Sequence, residues 1–198
     1  MTNIINNKII VGIDEAGRGP IAGPVVAGAV ILPEGFSHPE ITDSKKLSEK
    51  ARDEYYDIII NEAVAWAVGI VSPKEIDEIN ILKATHKAMR LAIENLSITP
   101  DFALVDGLPV KGLPCEHEAI VKGDALVPSI SCASIIAKVT RDRIMIEEDE
   151  KYPLYGFKGH KGYGTKAHIE AIKKYGVCPI HRVTFEPIFS MLNRLNLF

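Results

Sequence analysis

Three times along the chain an apolar run of strand length stops at an acid. The stretches are VGIDE, ending on Asp14 and Glu15, FALVDG, reaching Asp106, and AIVKGD, reaching Asp124. Burying a carboxylate is costly unless it is paired or binds a metal. In an open α/β sheet the ends of strands are where ligands collect, so acids placed there have a use. Gathered together they repel one another and are pushed toward protonation unless cations lie between them. Hard oxygen donors without a nearby Cys/His set favour Mg²⁺ or Mn²⁺ over zinc. Two such ions, roughly 4 Å apart, can activate a water and steady the leaving oxygen in phosphoryl transfer.

Each acid also has a plainer reading. Asp106-Gly107 is a common turn dipeptide, and Asp124 suits a loop or a helix cap. Asp14-Glu15 resists that treatment but carries a geometric problem. Successive residues of a regular strand point to opposite faces. Either the strand ends or bulges there, or Glu15 binds differently from Asp14. Gly17-Arg18-Gly19, just beyond, reads as a hairpin turn with a solvent-facing arginine. Alternatively, its bare backbone can come within hydrogen-bond distance of a hydroxyl or phosphate. A fixed N–H and C=O so placed can test for a ribose 2′-hydroxyl.

The rest of the chain follows an α/β rhythm. Residues 8–13 and 25–32 read as strands joined by the glycine-rich turn, with a third β-like run over 63–71. Ser72-Pro73 opens a helix whose apolar stripe is Ile79, Leu82, Met89, Ile93 and Leu96, ended by Thr99-Pro100. Strands are expected over 101–105 and 118–121, and helices over 129–148, 166–174 and from Pro187 onward. A mixed sheet with helices on both faces accommodates this order. At 198 residues and 46% hydrophobic, the chain suits one domain over 1–198. Residues from about 165 are expected to form a helical C-terminal extension. No signal peptide and no membrane helix are expected. Three scattered cysteines suit neither a disulfide framework nor a zinc site and point to the cytoplasm.

A net charge of −3 looks wrong for a partner of nucleic acid, but the total hides local structure. Between Tyr155 and Arg182 stand six basic residues, among them Lys161 and Arg182, against the single acid Glu170. That is either a phosphate-binding patch or a solvated helix face. Without Asp14, Glu15, Asp106 and Asp124 the chain has 23 basic against 22 acidic residues. The acidity is thus largely that of the candidate metal site. Ser131, Ser134, Lys138 and Asp142 lie at helical steps on one side of the 129–148 segment. We read this stripe as lining a groove, since Ser and Lys suit phosphate oxygens. His86 and Trp66 read as packed residues, and His160 as a surface or phosphate-contacting residue.

These motifs together resemble the type 2 ribonucleases H, in particular the bacterial ribonuclease HII branch. The likeness rests on GIDEAGRGP at Gly12–Pro20, GPVVA at Gly23–Ala27, DSKKL at Asp43–Leu47 and SPxEID at Ser72–Asp77. It continues with VDG at Val105–Gly107, KGD at Lys122–Asp124 and ASIIAKVxRD at Ala133–Asp142. HKGYGT at His160–Thr165 and HRVTF at His181–Phe185 complete it. The resemblance implies a ribonuclease H-like fold and cleavage of RNA in RNA–DNA hybrids. It also implies incision 5′ of ribonucleotides embedded in duplex DNA, leaving 3′-hydroxyl and 5′-phosphate ends. Asp14, Glu15, Asp106 and Asp124 match the family's carboxylates for two divalent ions. Gly17, Arg18 and Gly19 match its 2′-hydroxyl sensor, and Tyr163 the tyrosine that stacks on the junction sugar. Lys45, Lys46, Ser134, Lys138, Lys161 and Arg182 are the expected substrate contacts. After His181-Arg182 many bacterial members carry a second arginine, which this chain lacks. A non-catalytic hybrid-binding protein, or another two-metal nuclease such as a junction resolvase, are the competing classes. The end of the chain, with Leu195, Leu197 and Phe198, resembles peptides that enter bacterial sliding clamps. The plainer reading, which we prefer, is an amphipathic helix closing on the core.

Overall fold

The structure is a computed structural model that describes residues 4–5, 8–41, 44 and 47–195, the side chains at 4–5 and 194–195 excepted. Lys45, Lys46, Leu197, Phe198 and the side chain of Leu195 therefore lie outside the described residues. The chain lays down β1 (Ile4–Ile5), β2 (Lys8–Ala16), β3 (Val25–Ile31), α1 (Glu49–Glu62) and β4 (Ala65–Val71). It continues with α2 (Pro73–Ile79), α3 (Ile81–Glu94), β5 (Phe102–Asp106) and β6 (Glu116–Ile120). Then come α4 (Gly123–Leu126), α5 (Pro128–Lys151), α6 (Phe157–His160), α7 (Lys166–Tyr175) and α8 (Ile188–Leu195).

The strands order as β4-β3-β2-β5-β6, with β1 paired to β2 off this path. β2, β3 and β4 are antiparallel neighbours, whereas β5 runs parallel to β2 and to β6. Helices cover both faces, as expected for this fold. On one face Ala88, Met89 and Ala92 of α3 pack on Val11, Ile13 and Val105. On the other, α5 and α1 bury Ile135, Ile136 and Ile59 against Val30. A third cluster, including Met145, Phe157, Ile172 and Ile188, joins the end of α5 to the C-terminal helices.

Gly12 explains how closely α5 lies on β2. A Cβ there would stand 2.2 Å from the Ser129 carbonyl carbon, so any side chain would lift the first turn of α5 off the strand that carries Asp14.

Several local expectations need correction. The helix opening at Pro73 is two helices, because Asn80 adopts φ 71°, and its side chain accepts from Lys83 N (3.1 Å) to start α3. Leu82 is 53% exposed and not in the core; the buried face of α3 is built from Met89, Ile93 and the small residues Ala84, Thr85, Ala88 and Ala92. α1 lacks a counterpart among the expected elements. Its start is encoded in Ser48, whose hydroxyl accepts from Ala51 N. Trp66 and the half-buried Cys115 and Cys178 pack as small or bulky apolar groups at the rims, and burial pushes the Cys132 thiol up to about 12. Among the described residues no helix is long and apolar enough to cross a membrane.

Candidate active site

The geometry follows from the parallel register of β2 and β5. Ile13 pairs with Val105, so Asp14 and Asp106, one step further, leave the ladder side by side and on the same face. Gly12 shares that parity and faces α5. The third acid arrives by another route. After β6 the chain turns through Lys122, a left-handed non-glycine residue at φ 60°, into α4, which holds Asp124. Asp124 N approaches Asp106 Oδ1 (3.3 Å), and Ser131 Oγ of α5 donates to the Asp124 carbonyl (2.7 Å). One carboxylate oxygen from each of Asp14, Asp106 and Asp124 lies within 4.8 Å of the others.

Asp14 and Asp124 are buried. Burial, and then the neighbouring charge of Glu15, holds the Asp14 carboxyl well above its usual range; Asp106 adds to this and a hydrogen bond from Ser134 opposes it. A hard-oxygen trio under this electrostatic pressure fits a divalent cation, which would relieve the repulsion that raises Asp14. Glu15 answers the geometric problem posed by its sequence. β2 stays regular through Ala16, so Glu15 points to the α3 face, outside the trio, and meets Arg18 at 3.2 Å. It still borders the same cleft of about 230 Å³, with Asp14, Arg18, Ser134, Lys138 and Tyr163.

Of the expected substrate contacts, Gly17, Arg18, Gly19, Ser134, Lys138 and Tyr163 all line that cleft. Ser134 Oγ bonds Ser44 Oγ (2.9 Å), and Lys138 pairs with Asp142 one turn on (2.7 Å); of the polar stripe of α5, Ser134 and Lys138 line the cleft and Ser131 and Asp142 do not. Tyr163 is 47% exposed, and a Cβ at Gly19 would stand 3.7 Å from its ring.

Two expected contacts are placed otherwise. Lys161 directs its ammonium to the Lys158 carbonyl (2.5 Å) and Glu49 (3.7 Å), and does not line the cleft. Arg182 is fully buried beneath the Gly17–Gly19 loop. Three of its five N–H donors go to the carbonyls of Gly17 (2.6 Å), Arg18 (3.2 Å) and Gly23 (2.9 Å), and the side chain does not line the cleft. Arg141, not anticipated as a functional residue, does the same from α5, reaching the carbonyls of Ala22, Pro24 and Lys161, each at 3.0 Å. Burial lowers both guanidinium pKa values, and the neighbouring charge of Arg141 lowers Arg182 further; resonance keeps such groups charged. Gly17 at φ +98° supplies the turn, and a Cβ there would collide with the Arg141 side chain at 2.2 Å.

Tyr163 is anchored by a histidine relay. The Cys178 N–H donates to His181 Nδ1 (2.8 Å), which leaves the ring proton on Nε2 to donate to His168 Nε2 (3.0 Å). His168 Nδ1–H then donates to the Tyr163 carbonyl (2.9 Å). His160, a residue with open roles in the sequence, stacks on His168 (ring centroids 4.3 Å apart) and bonds the Tyr155 carbonyl. Burial, the leading cause, lowers His168 and His181 to about 4. A histidine depressed in the fold favours the folded state above its unfolded pKa, about 6.5, and loses that contribution as pH falls toward the folded value. Asp14, raised in the fold, acts with the opposite sign. In an Asp14→Asn background the melting temperature is therefore expected to fall by on the order of 5 °C between about pH 7 and about pH 4.5. Calorimetry showing no drop over that window would contradict the neutral relay.

Acids converging at the strand ends of a mixed sheet, beneath a backbone loop and an exposed tyrosine, define a metal-dependent nuclease with a ribonuclease H-like fold. The family model described as Ribonuclease HII matches residues 11–188. A ribonuclease HII of Acetivibrio thermocellus is 59% identical over 182 residues, covering 92% of this chain and 71% of that protein. Among solved structures, ribonuclease H2 from Pyrococcus horikoshii superposes with a TM-score of 0.79 at 30% identity, covering 96% of this chain and 99% of that one. The ribonuclease HII of Archaeoglobus fulgidus, solved as a complex with PCNA, gives 0.74 at 27% identity, covering 89% and 95%. The chain belongs to the ribonuclease HII family and is a metal-dependent endoribonuclease acting on RNA–DNA hybrids.

Proposed function

We propose that the protein cleaves the RNA strand of hybrids and cuts 5′ of ribonucleotides embedded in duplex DNA, leaving 3′-hydroxyl and 5′-phosphate ends. The observation that carries this reading is the meeting of three carboxylates within 4.8 Å at the foot of the cleft bordered by Gly17–Gly19 and Tyr163. Asp14, Asp106 and Asp124 hold Mg²⁺ or Mn²⁺, and Glu15, on the cleft wall, completes the set for a second ion. Such ions supply an activated water and charge stabilisation on the leaving oxygen. Gly17–Gly19 present their backbone to the 2′-hydroxyl, Tyr163 stacks on the sugar at the junction, and Ser134 and Lys138 receive the phosphates. Lys45 and Lys46 act as further phosphate contacts.

The test is a labelled DNA duplex carrying one ribonucleotide. A single cut on its 5′ side is expected, dependent on the divalent ion and silenced by EDTA, with the all-DNA duplex left intact. Equal cleavage of the all-DNA duplex would overturn the reading in favour of a general two-metal nuclease. For Leu195, Leu197 and Phe198, the PCNA complex of the Archaeoglobus relative supports the clamp reading, while the fully buried Ile188 of α8 supports a helix that closes on the core. A clamp pull-down with and without residues 195–198 separates the two.

A further inference from the structure

On the α3 side of the sheet a second electrostatic problem mirrors that of the acids. His86 and Arg90 stand one turn apart on α3 and so share a face. The Arg90 guanidinium reaches the connection between β5 and β6, with Nη1 3.1 Å from where a Cβ on Gly112 would stand, next to the exposed Lys111. His86 in turn lies within the field of Arg18, Lys111 and Arg90, which act after burial to hold its imidazole below the usual range. Arg18 is the link to the cleft, where it lines the wall and is paired with Glu15.

Among the described residues His86, Arg90 and Lys111 make no ion pair and no side-chain hydrogen bond, although Lys87 on the same helix is paired with Glu75 at 2.5 Å. The cations Arg18, Arg90 and Lys111, and the His86 imidazole among them, are all at least partly open to solvent. Like charges collected on one face are unfavourable unless an anion completes the group, and Glu15, at the cleft wall, already faces Arg18.

We propose that Arg18, His86, Arg90 and Lys111 form a phosphate-binding strip for the nucleic-acid backbone on the α3 side of the cleft. The strip lies across the sheet from Ser134 and Lys138 of α5. The duplex then straddles the end of the sheet, with the scissile bond over the acids and phosphates gripped on both flanks. This rests on the nuclease reading above.

The experiment measures binding of a fluorescent RNA–DNA hybrid by anisotropy, in an Asp106→Asn background that keeps the strand intact, with and without Arg90→Ala plus Lys111→Ala. The dissociation constant is expected to rise about tenfold near 0.1 M salt. The slope of log affinity against log salt should shrink by about 1.8, two phosphate contacts' worth. A constant within twofold and an unchanged slope, in a double variant whose melting temperature matches its parent, overturns the strip while leaving the nuclease reading intact. Loss of inorganic phosphate binding with hybrid affinity unchanged also overturns it, in favour of a small-anion site. Failure of the unaltered protein to cleave any hybrid defeats the nuclease reading itself, and the strip's assigned ligand with it.

Discussion

Asp106→Asn is expected to lower hybrid cleavage by about 10³-fold or more, roughly 4 kcal/mol of transition-state stabilisation, while hybrid binding persists. The amide keeps the shape of the carboxylate and removes one of the three charges that meet within 4.8 Å. Its Oδ1 can still accept from Asp124 N, so the turn into α4 survives. What goes is a hard anionic donor at the point where a divalent ion must be held. Single-turnover cleavage of a duplex with one ribonucleotide measures the loss, and a rate within tenfold of the parent would contradict the assignment. A second readout moves the other way. Asp106 is among the charges that raise Asp14, so in EDTA the variant should melt at a higher temperature than its parent. An inactive variant that is also less stable would signal damage to the fold and not loss of an ion ligand.

Arg182→Met is expected to cost about 3 kcal/mol or more of stability, a fall in melting temperature on the order of 10 °C for a chain of this size. The substitution strands the buried carbonyls of Gly17 and Gly23 and the part-buried carbonyl of Arg18. Arg182→Lys distinguishes this role from the phosphate contact that the sequence motif suggests. A lysine can meet a phosphate as a point charge, but its single ammonium cannot span three carbonyls fixed by a planar fork. If Gly17–Gly19 test the 2′-hydroxyl as proposed, both variants should therefore lose discrimination between ribonucleotide-containing and all-DNA duplex, because that loop is no longer held. Full activity and normal salt dependence in Arg182→Lys would show that the charge alone matters.

Much of the site was legible because its information is local. Apolar runs ending on Asp14 and Asp106 announce strands and the end at which their acids emerge, and the helical spacing of Ser131, Ser134 and Lys138 announces a polar face. The period-2 rule even posed the right question about Glu15, which the regular strand answered by sending it to the α3 face. What could not be read depends on pairing at long range. Arg182 has the composition of a phosphate ligand; only contact with carbonyls more than 150 positions away turns it into a clasp. The cations of α3 were hidden by the same limit. His86 sits among apolar helix positions, and its neighbours Arg18 and Lys111 come from two different loops. The break at Asn80 depended on one residue taking a left-handed conformation, which an apolar repeat running across it does not reveal.

The clasp has a consequence for how the protein comes into being. The acids belong to residues 14–124, yet the loop above them is pinned by Arg182 and by the bridge between Ala22 and His181. A growing polypeptide on the ribosome thus presents all of its site acids well before the residues that pin the loop above them. The fastening of that loop waits on the distal segment, which closes back over the beginning.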